Sequence, residues 1–278
     1  MVAAQPERKR IVILTRNGPE HRYVINMLCA GLSIDCIIVD RSPRRTRLRR
    51  AVRNGLVHFL SKATRAVFLK IIRDDEARTR SLQILLGQKA QAFDASGRIE
   101  YVQDINSAET LEILQQRRPD AILIYGTSVV KNAVLDSAAD ICVNLHTGIS
   151  PQYRGTACSF WPVVNDELDM LGATIHECTP GVDSGPIFET VHSKYEPGDD
   201  LHTIFGRAVM VGAEAYVRVV QRYLAGTLSG VPQVLNLGRE YHGADLTIGP
   251  ELVARRRLAR LRATGGSLRA AAPRKVRG

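Results

Sequence analysis

The sequence predicts an α/β fold: a mostly parallel sheet flanked by helices. Three observations carry that prediction. Short, wholly apolar runs recur, among them Ile11-Val12-Ile13-Leu14 and Ala121-Ile122-Leu123-Ile124-Tyr125, the mark of strands buried on both faces of a parallel sheet. Stretches of helical spacing lie between them, so the order is strand, helix, strand. The chain is 45% hydrophobic and 24% charged over 278 residues, ordinary for a protein that buries a sizeable core.

Met1 to Lys9 reads as a flexible leader without the apolar region of a secretory signal. Residues 10–228 read as one domain. Its first strand is Arg10 to Leu14, closed by the breakers Asn17-Gly18-Pro19, and His21 to Ala30 has helical spacing. Ile34 to Val39 is the second strand. A basic segment follows over residues 41–90, whose apolar residues from Leu56 to Leu86 fall at helical spacing; helices with a partly exposed arginine face are expected there. Ser107 is placed to cap a helix running to Gln116. Ala121 to Tyr125 is a third strand, followed by a short helix to Ala139 and a fourth strand from Ile141 to Leu145. Gly172 to Cys178 is another strand, and Ile187 to Tyr195 alternates with the period of a half-exposed one. Pro197-Gly198-Asp199-Asp200 is a turn that caps the longest amphipathic helix, Leu201 to Leu224. The remainder, 229–278, reads as a short, basic, loosely patterned extension whose tail from about Thr264 has a disordered composition.

No apolar run reaches the roughly 20 residues needed to span a bilayer. The cysteines, Cys29, Cys36, Cys142, Cys158 and Cys178, are scattered and form no CxxC pair, so no disulfide framework or metal site is expected and a reduced, cytoplasmic setting fits. The formal charge of +10 is concentrated in Arg41 to Arg53 and in Arg255 to Arg277. Such clusters read first as solvated surface; the alternative is an anionic partner such as a nucleotide, RNA or an acidic membrane surface.

Parallel sheets bind ligands beyond the carboxyl ends of their strands, which directs attention to Thr15–Glu20, His146–Gly155 and Thr179–Gly185. The first loop has one glycine and no G-x-G-x-x-G, so a Rossmann-like sheet without that fingerprint argues against a nicotinamide enzyme. Asn17 there, with His21 and Arg22, is positioned to meet an acceptor phosphate at a helix start. In the second loop Asn144 and His146, two residues apart on a strand, point to the same side. An amide and an imidazole so placed can both donate to one developing oxyanion; a turn that caps its own backbone explains them equally well. In the third, Asp183 sits in a glycine-flanked turn, able to accept from His146 and to relay a proton from an attacking amine. The alternative is an ordinary Asp-Ser-Gly turn. His176, inward on a strand, reads as structural support, and no second histidine completes H-E-x-x-H. Tyr153 and Arg154 either border the acceptor site or pin their loop.

Taken in order, Asn144/His146, then Pro151-Gln152-Tyr153-Arg154-Gly155, then His176 and Asp183-Ser184-Gly185-Pro186-Ile187, resemble the folate-dependent formyltransferases. That group includes the glycinamide ribonucleotide, methionyl-tRNA and nucleotide-sugar enzymes. The similarity runs from about Asn106 to Leu224, and more faintly back to Arg10. It implies the formyltransferase fold, with 10–228 as the catalytic domain, 10-formyltetrahydrofolate as co-substrate, a primary amine as acceptor and no metal. It assigns Asn144 and His146 to the formyl oxygen and Asp183 to His146. It lines the folate pocket with Gly126, Thr127, Val129 and Lys131 from one loop and Pro180, Gly181 and Val182 from another. One departure stands out: Thr147-Gly148-Ile149-Ser150 replaces the family's usual Ser or Ala with Leu, and the glycine is expected to loosen that loop. The tRNA enzymes carry a sizeable second domain, whereas 278 − 224 = 54 residues follow Leu224 here. The leading acceptor is therefore an amino sugar on a nucleotide or another small-molecule amine. A nucleic-acid partner is not expected, and a homo-oligomer is compatible. The alternatives are methionyl-tRNA or glycinamide ribonucleotide formyl transfer, formyltetrahydrofolate hydrolysis, and a non-catalytic RNA-binding protein on this scaffold.

Overall fold

The computed structural model describes residues 8–42, 55–94 and 98–264. Most of the leader, the Arg44–Arg53 cluster and the tail beyond Thr264 lie outside the described residues.

The apolar runs form the middle of a seven-stranded sheet of order β3-β2-β1-β4-β5-β7-β8. Its strands are β1 (Ile11–Thr15), β2 (Cys36–Asp40), β3 (Arg98–Val102), β4 (Ala121–Ile124), β5 (Ile141–His146), β7 (Gly172–Glu177) and β8 (Ile187–His192). The first five in spatial order are parallel, whereas β7 runs antiparallel to β5, and β8 antiparallel to β7. One face is covered by α1 (Pro19–Gly31) and α7 (Leu201–Leu224), whose Val24, Leu28, Val209 and Tyr216 join Ile13 and Leu123 in the larger core. The other face packs under α4 (Ala108–Arg117) and the short α5 (Asn132–Leu135) through Leu114 and Val134. Both expected caps are present. Ser107 accepts from Thr110 N, and Asp200 forms a reciprocal capping box with Thr203 at the start of α7.

Tyr216 reaches from α7 into the sheet. Its hydroxyl accepts from Ile124 N at 2.9 Å and donates to Val143 O at 2.7 Å, both fully buried. It therefore joins β4 to β5 one residue ahead of Asn144.

Three expectations need correcting. Strand β3 was not anticipated: it is a half-exposed edge of mixed sequence, Arg-Ile-Glu-Tyr-Val, with no apolar run to announce it. The extension is not loosely patterned. It supplies β9 (Arg239–Tyr241), which pairs in parallel with β6 (Tyr153–Gly155), and α8 (Ile248–Ala263). Ala254 and Leu258 of α8 pack with Val163 of α6 (Trp161–Asn165) and with Leu171 and Ile204. The arginines that hide the helical pattern of α8 are themselves structural, since Arg255 pairs with Glu251 at 2.7 Å and Arg262 donates to Asp199 O at 3.0 Å. Finally, α2 (Leu56–Ile71) and α3 (Asp74–Leu86) occupy the predicted helical stretch, but α2 turns Arg65 toward Glu251 and exposes leucine and valine instead. Among the described residues no helix is long and apolar enough to cross a membrane.

Candidate active site

Alternation along β5 sends Val143 and Leu145 toward α7 and Asn144 and His146 to the opposite face. In the antiparallel register with β7, Asn144 lies opposite His176 and His146 opposite Thr174. Because β7 is reversed, the chain leaves it beside the amino-terminal half of β5, so the Thr179–Pro186 turn has to fold back to reach the site. Left-handed backbone at Gly181 (φ 132°) and Asp183 (φ 46°) makes that return possible.

The turn delivers the Asp183 carboxylate between two histidines and an amide. Its Oδ2 accepts from Gly155 N at 2.9 Å and lies 3.2 Å from His146 Nδ1. Its Oδ1 lies 3.4 Å from His176 Nε2 and accepts from Asn144 Nδ2 at 3.4 Å. Burial by itself would push this carboxyl up. The His146 and His176 imidazoles and the Gly155 N–H outweigh that and hold it well below the usual carboxylate value of 3.8.

His176 Nδ1 donates to Glu177 O at 2.7 Å, which leaves Nε2 to accept from Asn144 Nδ2 at 3.1 Å. His176 thus orients the Asn144 amide. His146 is held differently, with Nε2 2.9 Å from Tyr153 O while Nδ1 faces Asp183. Satisfying both acceptors at once takes an N–H on each ring nitrogen, the charged form beside a carboxylate. The loop is not loosened by Gly148. A Cβ there would sit 2.4 Å from Cys158 Cβ and 2.5 Å from His146 Nε2, so glycine is the residue that lets the loop pack against the imidazole. Thr174 fastens the same loop, donating to Gly148 O at 2.8 Å and accepting from Ser150 N at 3.0 Å.

The other expected residues divide. Tyr153 does not present its ring to a substrate: it is buried, stacks on Tyr241 with centroids 5.6 Å apart, and bonds Glu167 and Asn165 through its hydroxyl. Only its carbonyl reaches the site. Arg154 donates to Val182 O at 3.3 Å and so ties the two site loops together. Gly126, Thr127, Val129 and Lys131 form a loop that Asn106 brackets, donating to Val129 O at 3.0 Å and accepting from Lys131 N at 2.7 Å. Pro180, Gly181 and Val182 are exposed on the returning turn. Asn17 is not brought to the triad, because β4 lies between β1 and β5 and its Oδ1 accepts from Arg22 Nε at 2.7 Å. The expected phosphate position at the start of α1 holds an acid instead: Glu20, buried and paired with Arg78 at 2.7 Å.

Two contributors were given no role in the site from the sequence. One is the Gly155 N–H. The other is Gln233, from the extension, whose Nε2 donates to Asp183 O at 3.0 Å and Gly185 O at 2.6 Å. Replacing Gln233 with Leu removes both and frees the turn. The expected result is a loss of about 1–2 kcal/mol in stability and roughly a 10- to 100-fold slower reaction from the displaced carboxylate, measured by denaturant unfolding and by turnover. Acid should loosen the same turn. The contribution of a depressed carboxyl is complete above its ordinary value near 3.8 and fades as pH falls below that toward the folded value. The unfolding free energy from urea titration should fall between pH 5 and pH 3 by about 1 kcal/mol less in Asp183→Asn than in the parent.

An amide, an imidazole and a carboxylate thus meet at one end of a mostly parallel sheet, and the fold is that of the formyltransferases. A family model described as formyl transferase matches residues 38–220, and the chain belongs to that family. A curated relative, the methionyl-tRNA formyltransferase of Chlorobium chlorochromatii, is 27% identical over 135 residues, 49% of this chain and 43% of the relative. The chain thus spans about half the length of the curated relatives it matches. Among solved structures, a 4-N formyltransferase from Francisella tularensis superposes with a TM-score of 0.56 at 13% identity, covering 90% of this chain and 87% of that one. The N-formyltransferase from Helicobacter canadensis, in complex with folinic acid and dTDP-3-aminofucose, gives 0.55 at 14% identity over 90% of this chain and 80% of that one.

Proposed function

We propose that this chain transfers the formyl group of 10-formyltetrahydrofolate to a primary amine of a small molecule, with an amino sugar carried on a nucleotide as the leading acceptor. The observation that carries the proposal is the Asp183 carboxylate shared between His146 Nδ1 at 3.2 Å and Asn144 Nδ2 at 3.4 Å. The co-substrate supplies an electrophilic formyl carbon on an amine leaving group. The exposed Val129 and Val182, on the two loops assigned to it, offer apolar surface that suits a flat heteroaromatic ring.

Asn144 is the first donor to the developing formyl oxygen. Its contact with Asp183 is long, so that N–H turns to a better acceptor at little cost. His146 supplies positive charge and a second N–H once a stronger acceptor displaces the Tyr153 carbonyl. Losing one such donor costs about 3 kcal/mol of barrier, roughly 100-fold in rate. Asp183 holds the imidazolium in place. A carboxylate held below its usual range is a weak base, so the proton of the attacking amine passes through water to the folate nitrogen, which takes it as the bond from that nitrogen to the formyl carbon breaks. Residues 10–228 are the catalytic domain in this reading, closed by β9 and α8. The five cysteines are all free, which fits a cytoplasmic setting.

The likeness to the Helicobacter protein supports a nucleotide-linked amino sugar; the curated relatives and the +10 charge support initiator tRNA as a second reading. One experiment separates them. The protein is incubated with 10-formyltetrahydrofolate and, in turn, amino-sugar nucleotides, glycinamide ribonucleotide, initiator tRNA and amino acids, with tetrahydrofolate release followed. Release confined to the amino-sugar nucleotides is the expected outcome. Release on tRNA alone selects the second reading, release without amine selects hydrolysis, and no release in any tube rejects formyl transfer.

A further inference from the structure

We infer that His21 is a positioning residue for the folate co-substrate, a role that rests on the assignment of the 126–131 loop to 10-formyltetrahydrofolate. The imidazole seats the turn at Gly126, from which that loop departs. The sequence placed His21 where an acceptor phosphate was expected, but the ring turns inward. It is buried with Thr15, Glu20 and Tyr125 at the carboxyl ends of β1 and β4. Its Nε2 donates to Gly126 O at 3.4 Å, and the ring leans on Tyr125 with centroids 5.4 Å apart. One residue earlier, Thr15 Oγ1 donates to Tyr125 O at 3.1 Å. Two consecutive carbonyls at the root of the loop are thus held by side chains of β1 and α1. Gly126 has left-handed backbone (φ 69°), and a Cβ on it would stand 2.4 Å from His21 Nε2. Ring and turn are in direct contact, so the ring fixes how the loop leaves the sheet.

The ring is itself held from behind. His21 Nδ1 lies 3.4 Å from Glu20 Oε1, and the same oxygen accepts from Arg78 of α3 at 2.7 Å. A buried ion pair adds little net stability, because desolvating both charges offsets their attraction. What this one supplies is a fixed orientation for the imidazole. Asn106 brackets the loop at Val129 and Lys131, so His21 governs the opposite end. That end adjoins the reaction centre, since Ile124 pairs with Asn144 across β4 and β5. A loop whose root is fixed in advance takes up its ligand without a further ordering cost. With a loose root that cost is taken from affinity, and the complex, once formed, has the same geometry.

The test reads co-substrate affinity in two ways on the full chain. One is KM for 10-formyltetrahydrofolate with the amine the parent accepts; the other, without turnover, is calorimetric titration with folinic acid. His21→Leu and His21→Asn are expected to weaken both by roughly tenfold, while kcat at saturation stays within about threefold of the parent. Leucine removes the donor, and the asparagine amide is too short to reach Gly126 O. His21→Gln carries an N–H at about the reach of Nε2 and should return both readings to within about threefold of the parent. The contrast between asparagine and glutamine decides even where the leucine variant does not fold. Unchanged affinity in the leucine and asparagine variants, a glutamine variant as weak as asparagine, or a loss of kcat with KM unchanged overturns the role. Val129→Asp, on the exposed part of the same loop, separates this from the assignment of the loop. If it weakens folinic acid binding while the His21 variants do not, His21 alone loses its role. If none of the four substitutions weakens it, the loop is not the folate loop and the role falls with that assignment.

Discussion

Asp183→Asn is expected to remove formyl transfer, by roughly a thousandfold or more, in a protein that still folds. The substitution keeps the shape and takes away the charge. Three neighbours of the carboxylate are donors: Gly155 N–H and His146 Nδ1 on one oxygen, and Asn144 Nδ2 on the other. Whichever way an amide is turned, its NH2 faces one of those donors, and the negative charge beside His146 is gone. The measurement is tetrahydrofolate release in a single turnover with the amine accepted by the parent, alongside far-ultraviolet circular dichroism. Activity within about tenfold of the parent would show that the carboxylate is not part of the machinery.

The largest expected effect on stability falls on Tyr216→Phe. The hydroxyl lies in a fully dry region, bonded to Ile124 N and Val143 O. Its removal leaves a backbone donor and a backbone acceptor without their partner where water does not reach, a cost of about 2–4 kcal/mol. In a chain of this length that is roughly a 5–10 °C fall in the calorimetric midpoint. The substitution also slackens the β4–β5 seam beside Asn144, which pairs with Ile124, so a smaller loss of activity should accompany it. A midpoint that moves by less than about 2 °C would mean that the seam is satisfied by other groups.

Much of this arrangement was legible in the residues. Strands β1, β4 and β5 announce themselves because burial on both faces demands unbroken apolar runs, and α7 because its capping turn and its period agree. Asn144 and His146 were readable from the two-residue repeat of a strand. The reversal of β7 was not: its pattern is almost wholly buried, and a strand buried on both faces carries the same apolar signal in either direction. The carboxyl-end rule led to the Asp183 turn all the same, although β7 leaves the sheet at the other end and the turn reaches the site only by folding back. Helix α8 was obscured because its arginines reach acids and carbonyls on neighbouring elements, contacts that composition records only as charge. Gly148 was misjudged for a related reason. A glycine selected by close approach looks the same on paper as one selected for freedom.

Strand β6 gives the site two backbone groups, the Tyr153 carbonyl on His146 and the Gly155 amide on Asp183, and its one ladder neighbour is β9. Gln233, which pins the Asp183 turn, comes from the same stretch of chain. The architecture matched over residues 38–220 therefore takes part of its support from beyond the match. Its reactive corner is tensioned from outside, by a downstream strap that the family match does not cover.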